Sequence, residues 1–115
     1  MFDIESFRNY CLGKSFVTEE FPFDESVLVF KVMGKIFALT NIDEFNSINL
    51  KCDPEKAIEL REKYEAIQPG YHMNKKHWNT VLLQTNIPIK LIHEMIDDSY
   101  NLVVKSLPKK DQLKF

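Results

Sequence analysis

Glycine is scarce here: the 115 residues hold three, at positions 13, 34 and 70. Nucleotide-binding loops need closely spaced glycines to bring backbone N–H groups onto a phosphate, so no loop of that kind is available. Gly-x-Ser-x-Gly and His-Glu-x-x-His are both absent, which removes the nucleophile-elbow and helical zinc signatures. Cysteine is limited to Cys11 and Cys52; both fall at inward-facing positions and are expected as reduced thiols. No apolar run approaches the roughly 18 residues that span a bilayer. Met1-Phe2-Asp3-Ile4-Glu5 has no positive flank and does not read as a secretion signal, so cytoplasmic residence without membrane contact is the expectation. Strong charge of one sign is missing too. The net charge is −2, with five Lys/Arg against ten Asp/Glu in residues 1–55 and ten against seven in residues 56–115. A protein with no overall positive field binds nucleic acid only through a local patch, weakly and in a salt-sensitive way.

What is present suits a globular fold. Balanced charge and 44% apolar residues argue against disorder, and the length fits one domain, read here as residues 1–108 followed by a short, partly basic and frayed tail at 109–115. Asp3 caps a first helix carrying Ile4, Phe7 and Cys11, with Gly13 as its left-handed stop. After a loop through Phe21-Pro22-Phe23-Asp24, residues 27–33 and 36–40 read as a hairpin with Gly34 first in the turn. Phe30 then faces Leu39 on the core side, leaving Val29, Lys31, Ala38 and Thr40 on the other. Residues 48–52 alternate as a third strand, with Ile48, Leu50 and Cys52 inward and Asn49 and Lys51 outward. Asp53 and Pro54 start a helix with Ala57, Leu60 and Tyr64 as its buried stripe. Tyr71–Met73 and Trp78–Gln84 read as a second hairpin around Asn74-Lys75. Leu91, Ile92, Met95, Ile96, Ser99, Leu102, Val103 and Leu107 mark a long amphipathic helix behind Pro88. The expected class is therefore α+β, two layers, with helices on one face of an antiparallel sheet in the order α-β-β-β-α-β-β-α.

Residues 69–81 concentrate the chemistry. They hold the only Trp, two of the three His and an adjacent Lys pair, and positive charge interleaved with rings suits a polyanion carrying flat bases. If Val81 and Leu83 are core, Tyr71, Lys76 and Trp78 lie on the uncovered face beside Lys31 and Lys51. The plainer reading is that Tyr71 and Trp78 pack at the sheet end while the lysines solvate a loop. His72 and His77 could face each other across the hairpin, but no third metal ligand is near in sequence. His93, four residues before Asp97, reads as an exposed neighbour of that carboxylate. Cys52 precedes a helix start, which favours a thiolate, yet the alternation puts it in the core. Glu19-Glu20 and Asp24-Glu25 read as solvated loop charges. No metal and no cofactor is expected.

Phe21-Pro22-Phe23-Asp24, Val29-Phe30-Lys31-Val32, Asn49-Leu50-Lys51-Cys52-Asp53-Pro54 and the run from Pro69 to Val81 stand in this order, and the chain resembles the MmcQ/YjbR family of small bacterial proteins over nearly its whole length. Leu82 and Asn86 depart from the polar residue and glycine-bearing turn of that pattern. The resemblance implies a compact fold like secretion chaperones and frataxin-like domains, with a double-wing DNA-binding role. The function expected is thus non-enzymatic nucleic-acid binding, with DNA the expected acid. Lys31, Lys51, Lys75 and Lys76 would meet phosphates, Tyr71 and Trp78 would stack, and His72, Asn74, His77 and Asn79 would hydrogen-bond nearby. The alternatives are a protein- or peptide-binding adaptor on the uncovered sheet face, or a small-molecule binder using His72, His77 or Cys52.

Overall fold

A computed structural model describes residues 2–83 and 86–115. Helix α1 spans Ile4–Leu12; the Asp3 carboxylate accepts the Ser6 N–H at 2.8 Å, and Phe7 and Cys11 are its buried residues. Strands β1 (Val17–Glu20), β2 (Val27–Val32), β3 (Lys35–Asn41) and β4 (Ser47–Lys51) follow. Helix α2 (Pro54–Lys63) is capped by Asp53, then come β5 (Ile67–Pro69), β6 (Trp78–Leu82), α3 (Ile89–Lys105) and the short α4 (Lys109–Gln112). The six strands form one antiparallel sheet in the order β1-β2-β3-β4-β6-β5, an α+β fold. The expected elements recur in their expected order. Two more join them: β1 as an edge strand, and α4 in the tail, where Phe115 meets Phe16 edge-on with ring centres 5.2 Å apart.

Register decides which residues face the helices. Leu28, Thr40, Ile48, Val81 and Ile67 lie opposite one another across five strands, as do Phe30, Ala38, Leu50 and Asn79 across four. Both rows are buried, and α3 packs over β2, β3 and β4. Phe7 of α1 meets Phe30 edge-on at 5.2 Å, an arrangement that sets a positive ring edge against a negative ring face. Ala38 and Thr40 were expected on the uncovered side, and the structure turns them inward. The turn closes one residue earlier than expected, with Met33 (φ 51°) and Gly34 (φ 84°) both left-handed and Val32 paired with Lys35, a shift that by itself keeps the expected faces. The reversal comes from a bulge between the partners of Phe30 and Lys31: Phe37 is left unpaired, so Ala38 and Thr40 change face to pair with Phe30 and Leu28, Leu39 moves to the other face beside Val29, and Phe37 also points inward, edge-on to Tyr100 at 5.3 Å. Ser99 of α3 ties down this irregular end, donating its hydroxyl to the Phe37 carbonyl and accepting the Lys51 N–H at 2.9 Å.

The other face carries Glu20, Val29, Leu39, Asn49, Thr80 and Gln68 in one cross-sheet row. It is only partly bare. Val29 and Leu39 are buried there, and Leu39 lines a groove to which Phe23, Tyr71, His72 and Met73 also contribute. Gly13 ends α1 in the right-handed region (φ −70°), so the expected left-handed stop is not made there; Phe16, at φ 62°, takes a left-handed conformation three residues on. The expected continuation of β6 to Gln84 falls outside the described residues.

Candidate functional site

The first strand of the second hairpin is β5, not residues 71–73, which belong to a loop over 70–77. The ladder ends where the Gly70 N–H donates to the Trp78 carbonyl at 2.9 Å. A Cβ at Gly70 would lie 2.8 Å from the Trp78 Cβ and 3.0 Å from the Met73 Cβ, so only glycine lets these segments approach. Asn74 then makes the turn: its side-chain oxygen accepts the Lys76 N–H at 2.9 Å, and its carbonyl accepts the N–H groups of His77 and Trp78. Lys75 folds back, its Nζ 2.8 Å from the Gly70 carbonyl.

Arg61 of α2 holds the loop from behind. Its Nε donates to Asn79 Oδ1 at 2.7 Å, and its Nη2 donates to the carbonyls of Trp78 and Lys75. Sequence reading missed this residue. The only available signal was an Arg one position past the buried Leu60, on a helix whose outer face is otherwise charged.

The expected site residues divide accordingly. Tyr71, His72, Lys75, Lys76 and Asn74 are exposed on the loop, with the Tyr71 and His72 rings tilted together at 4.1 Å. His77 and Trp78 are half-buried, and Trp78 pairs with Lys51 across β4 and β6 on the face away from the helices. Lys31 sits on that face too, but its Nζ lies 3.3 Å from Glu20. Asn79 does not reach the surface: it is buried on the helix side with Arg61, because its place in β6 alternates with that of Trp78 and Thr80. Glu19 is not a solvated loop charge either, since Arg8 grips both its oxygens and holds its carboxyl below the ordinary range. His93 stacks flat on Tyr10, ring centres 3.9 Å apart, and is half-buried. Asp97 meets the Tyr10 hydroxyl at 2.8 Å and Lys14, so His93 packs within the α1–α3 seam.

Two grooves meet at Tyr71. The larger, about 600 Å³, has Asn41, Asn46, Ser47, Asn49 and Thr80 among its lining, together with Leu39 and exposed Phe23 and Tyr71. The smaller, about 440 Å³, brings Lys75 beside Tyr71, Gln68 and Leu82. Asn41 and Asn46 are further groove residues, and neither lies in a motif that the sequence singles out. Reactive-thiol chemistry finds no support: burial pushes Cys11 up to about 12 and Cys52 above its ordinary value, which keeps both thiols protonated near neutrality. Among the described residues, no three His, Cys, Asp or Glu side chains converge as a metal site, and no helix is long and apolar enough to cross a membrane.

The YjbR family model matches residues 12–102. The chain belongs to the YjbR family. It is 43% identical to YbdF of Escherichia coli O157:H7 over 109 residues, covering 94% of this chain and 89% of the relative. YjbR of E. coli K12 is 31% identical over 107 residues, covering 92% and 91%. The crystal structure of DR2400 from Deinococcus radiodurans, 39% identical, superposes with a TM-score of 0.90 over 97% of this chain and 86% of the other. None of these names states an activity. Family membership supports the resemblance drawn from the four sequence motifs and leaves the ligand to be argued from the site.

Proposed function

We propose that this YjbR-family chain is a non-enzymatic, cytoplasmic binding module that takes a nucleic-acid strand across the face away from its helices. The observation that carries the reading is the position of Tyr71: it is 69% exposed and forms the ridge between a groove holding Lys75 and a groove lined by amides. A strand can run its phosphates past Lys75, Lys76 and Lys51 while a base turns over Tyr71 into the amide-lined groove. A base can leave its stack to enter this groove only when it is unpaired, so a single strand is the expected form. Lys31, paired with Glu20, adds little to phosphate binding.

Anisotropy of a labelled single-stranded oligonucleotide tests this. Binding is expected at low salt, weaker at moderate salt, and largely lost in the Lys75→Ala/Lys76→Ala double variant. No binding at low salt ends the proposal. A second reading, a peptide-binding adaptor, draws on the apolar part of the groove, where Phe23, Val27, Leu39 and Met73 join Tyr71. Partner binding that survives salt and fails on Tyr71→Ala or Phe23→Ala would favour it.

A further inference from the structure

The larger groove has a hydrogen-bonding polarity fixed by its own neighbours. Asn41 Oδ1 accepts the Asp43 backbone N–H at 2.9 Å. A backbone N–H meets only the oxygen end of a carboxamide, so the NH₂ of Asn41 is the end left for a ligand. Thr80 Oγ1 already accepts the Tyr71 N–H at 2.9 Å and gives its own hydrogen to Asn49 Oδ1. Asn49 therefore also presents its NH₂. Asn46 is turned the other way, with its Nδ2 aimed at Glu44 Oε2 at 3.5 Å, which leaves its oxygen as an acceptor. Among the described residues lining this groove, Glu44 is the one acid and there is no Lys or Arg, so a phosphate is repelled and a neutral group is favoured.

We propose that this groove takes the ring of an unpaired keto-pyrimidine, thymine or uracil. That ring presents two carbonyl oxygens, one for each of the NH₂ groups of Asn41 and Asn49. Adenine would set an NH₂ against the amide donors, and cytosine replaces one carbonyl by NH₂. Stacking on Tyr71 or Phe23 serves every base alike, so the amides set the preference. The inference rests on the nucleic-acid reading for how the base is delivered, but not for how the ring is recognised.

Nucleosides without phosphate separate the two. Thymidine and uridine titrated into the ¹⁵N-labelled full chain should shift the side-chain NH₂ resonances of Asn41 and Asn49, and adenosine at equal concentration should not. Asn49→Asp keeps an oxygen for the Thr80 hydroxyl, and with it the local fold, while replacing the donor by an acceptor. Oligo-dT and oligo-U should bind wild type about tenfold more tightly than oligo-dA, the size expected for one good base contact, and Asn49→Asp should bring that ratio near one. The ratio cancels the added negative charge. Tighter oligo-U than oligo-dT would identify RNA as the source of the ring, and the reverse would identify DNA. Equal shifts by adenosine, an unchanged ratio in Asn49→Asp, or displacement of thymidine only by an extended peptide would overturn the inference. Homopolymers that all fail to bind while thymidine still shifts both amides would remove the nucleic-acid reading and keep ring recognition. Strands that bind regardless of base would do the opposite.

Discussion

Single residues carry unequal weight, and the glycines show it. Gly70 is hemmed in by Trp78 and Met73, whereas a Cβ at Gly34 would meet nothing within 4 Å and only the left-handed φ of 84° opposes it. Gly70→Ala should cost about 1–3 kcal/mol through overpacking and shift the emission of Trp78, the sole tryptophan. Gly34→Ala should cost about 1–2 kcal/mol from backbone strain and leave that emission unchanged. Urea melts and fluorescence spectra of both variants check the contrast. The buried thiol of Cys11 and the half-buried phenol of Tyr10 at the α1–α3 seam act through pH instead. Burial raises Cys11 from 9.0 to about 12, and burial with the hydrogen bond to Asp97 raises Tyr10 from 10.0 to about 12. Both native groups stay neutral where the unfolded chain has ionised. Their stabilisation is therefore complete below pH 9 and is lost as pH rises toward about 12. Urea midpoints measured from pH 7 to 11 should fall above pH 9, and the fall should be shallower in Cys11→Ala, although that variant is less stable at pH 7.

At the level of elements, what could be read from the chain depended on whether the deciding contact was local. Asp53-Pro54 announces α2, and the long apolar repeat announces α3, because caps and periodicity act within a few residues. Strand β1 escaped notice: Val17-Thr18-Glu19-Glu20 has one apolar residue, and its docking uses Arg8 on Glu19 and Lys31 on Glu20. The Met33-Gly34 turn escaped for a related reason, since nothing in methionine's chemistry favours φ 51° and the sheet imposes it. The loop over 70–77 was legible as a set of side chains, but its shape comes from Arg61, reaching from another element. Arg61→Ala leaves the Trp78 and Lys75 carbonyls and the buried Asn79 oxygen without this donor. A loss of about 1–3 kcal/mol is expected, together with faster amide exchange across residues 70–77 and little change in α3. Equal loss of protection in α3 would show that Arg61 serves the whole fold and not this loop.

The whole molecule sets a ceiling on how ionic its binding can be. Its net charge is −2, and the proposed face mixes free ammonium groups with ones already engaged: Lys31 faces Glu20, and Lys75 donates to Gly70 while still bordering its groove. That leaves Lys51, Lys75 and Lys76 as phosphate contacts. Neutralising about three phosphates of a single strand gives a slope near −2 for log K against log salt, at about −0.7 per contact. Lys76→Ala should reduce the slope by about 0.7 at every base sequence. Lys31→Ala should leave it unchanged, because its charge is already met by Glu20. A slope beyond about −4 would require more cations than this face holds, and would move the strand to another surface of the protein. Anisotropy titrations of oligo-dT at four salt concentrations, on wild type and the two variants, decide between these outcomes.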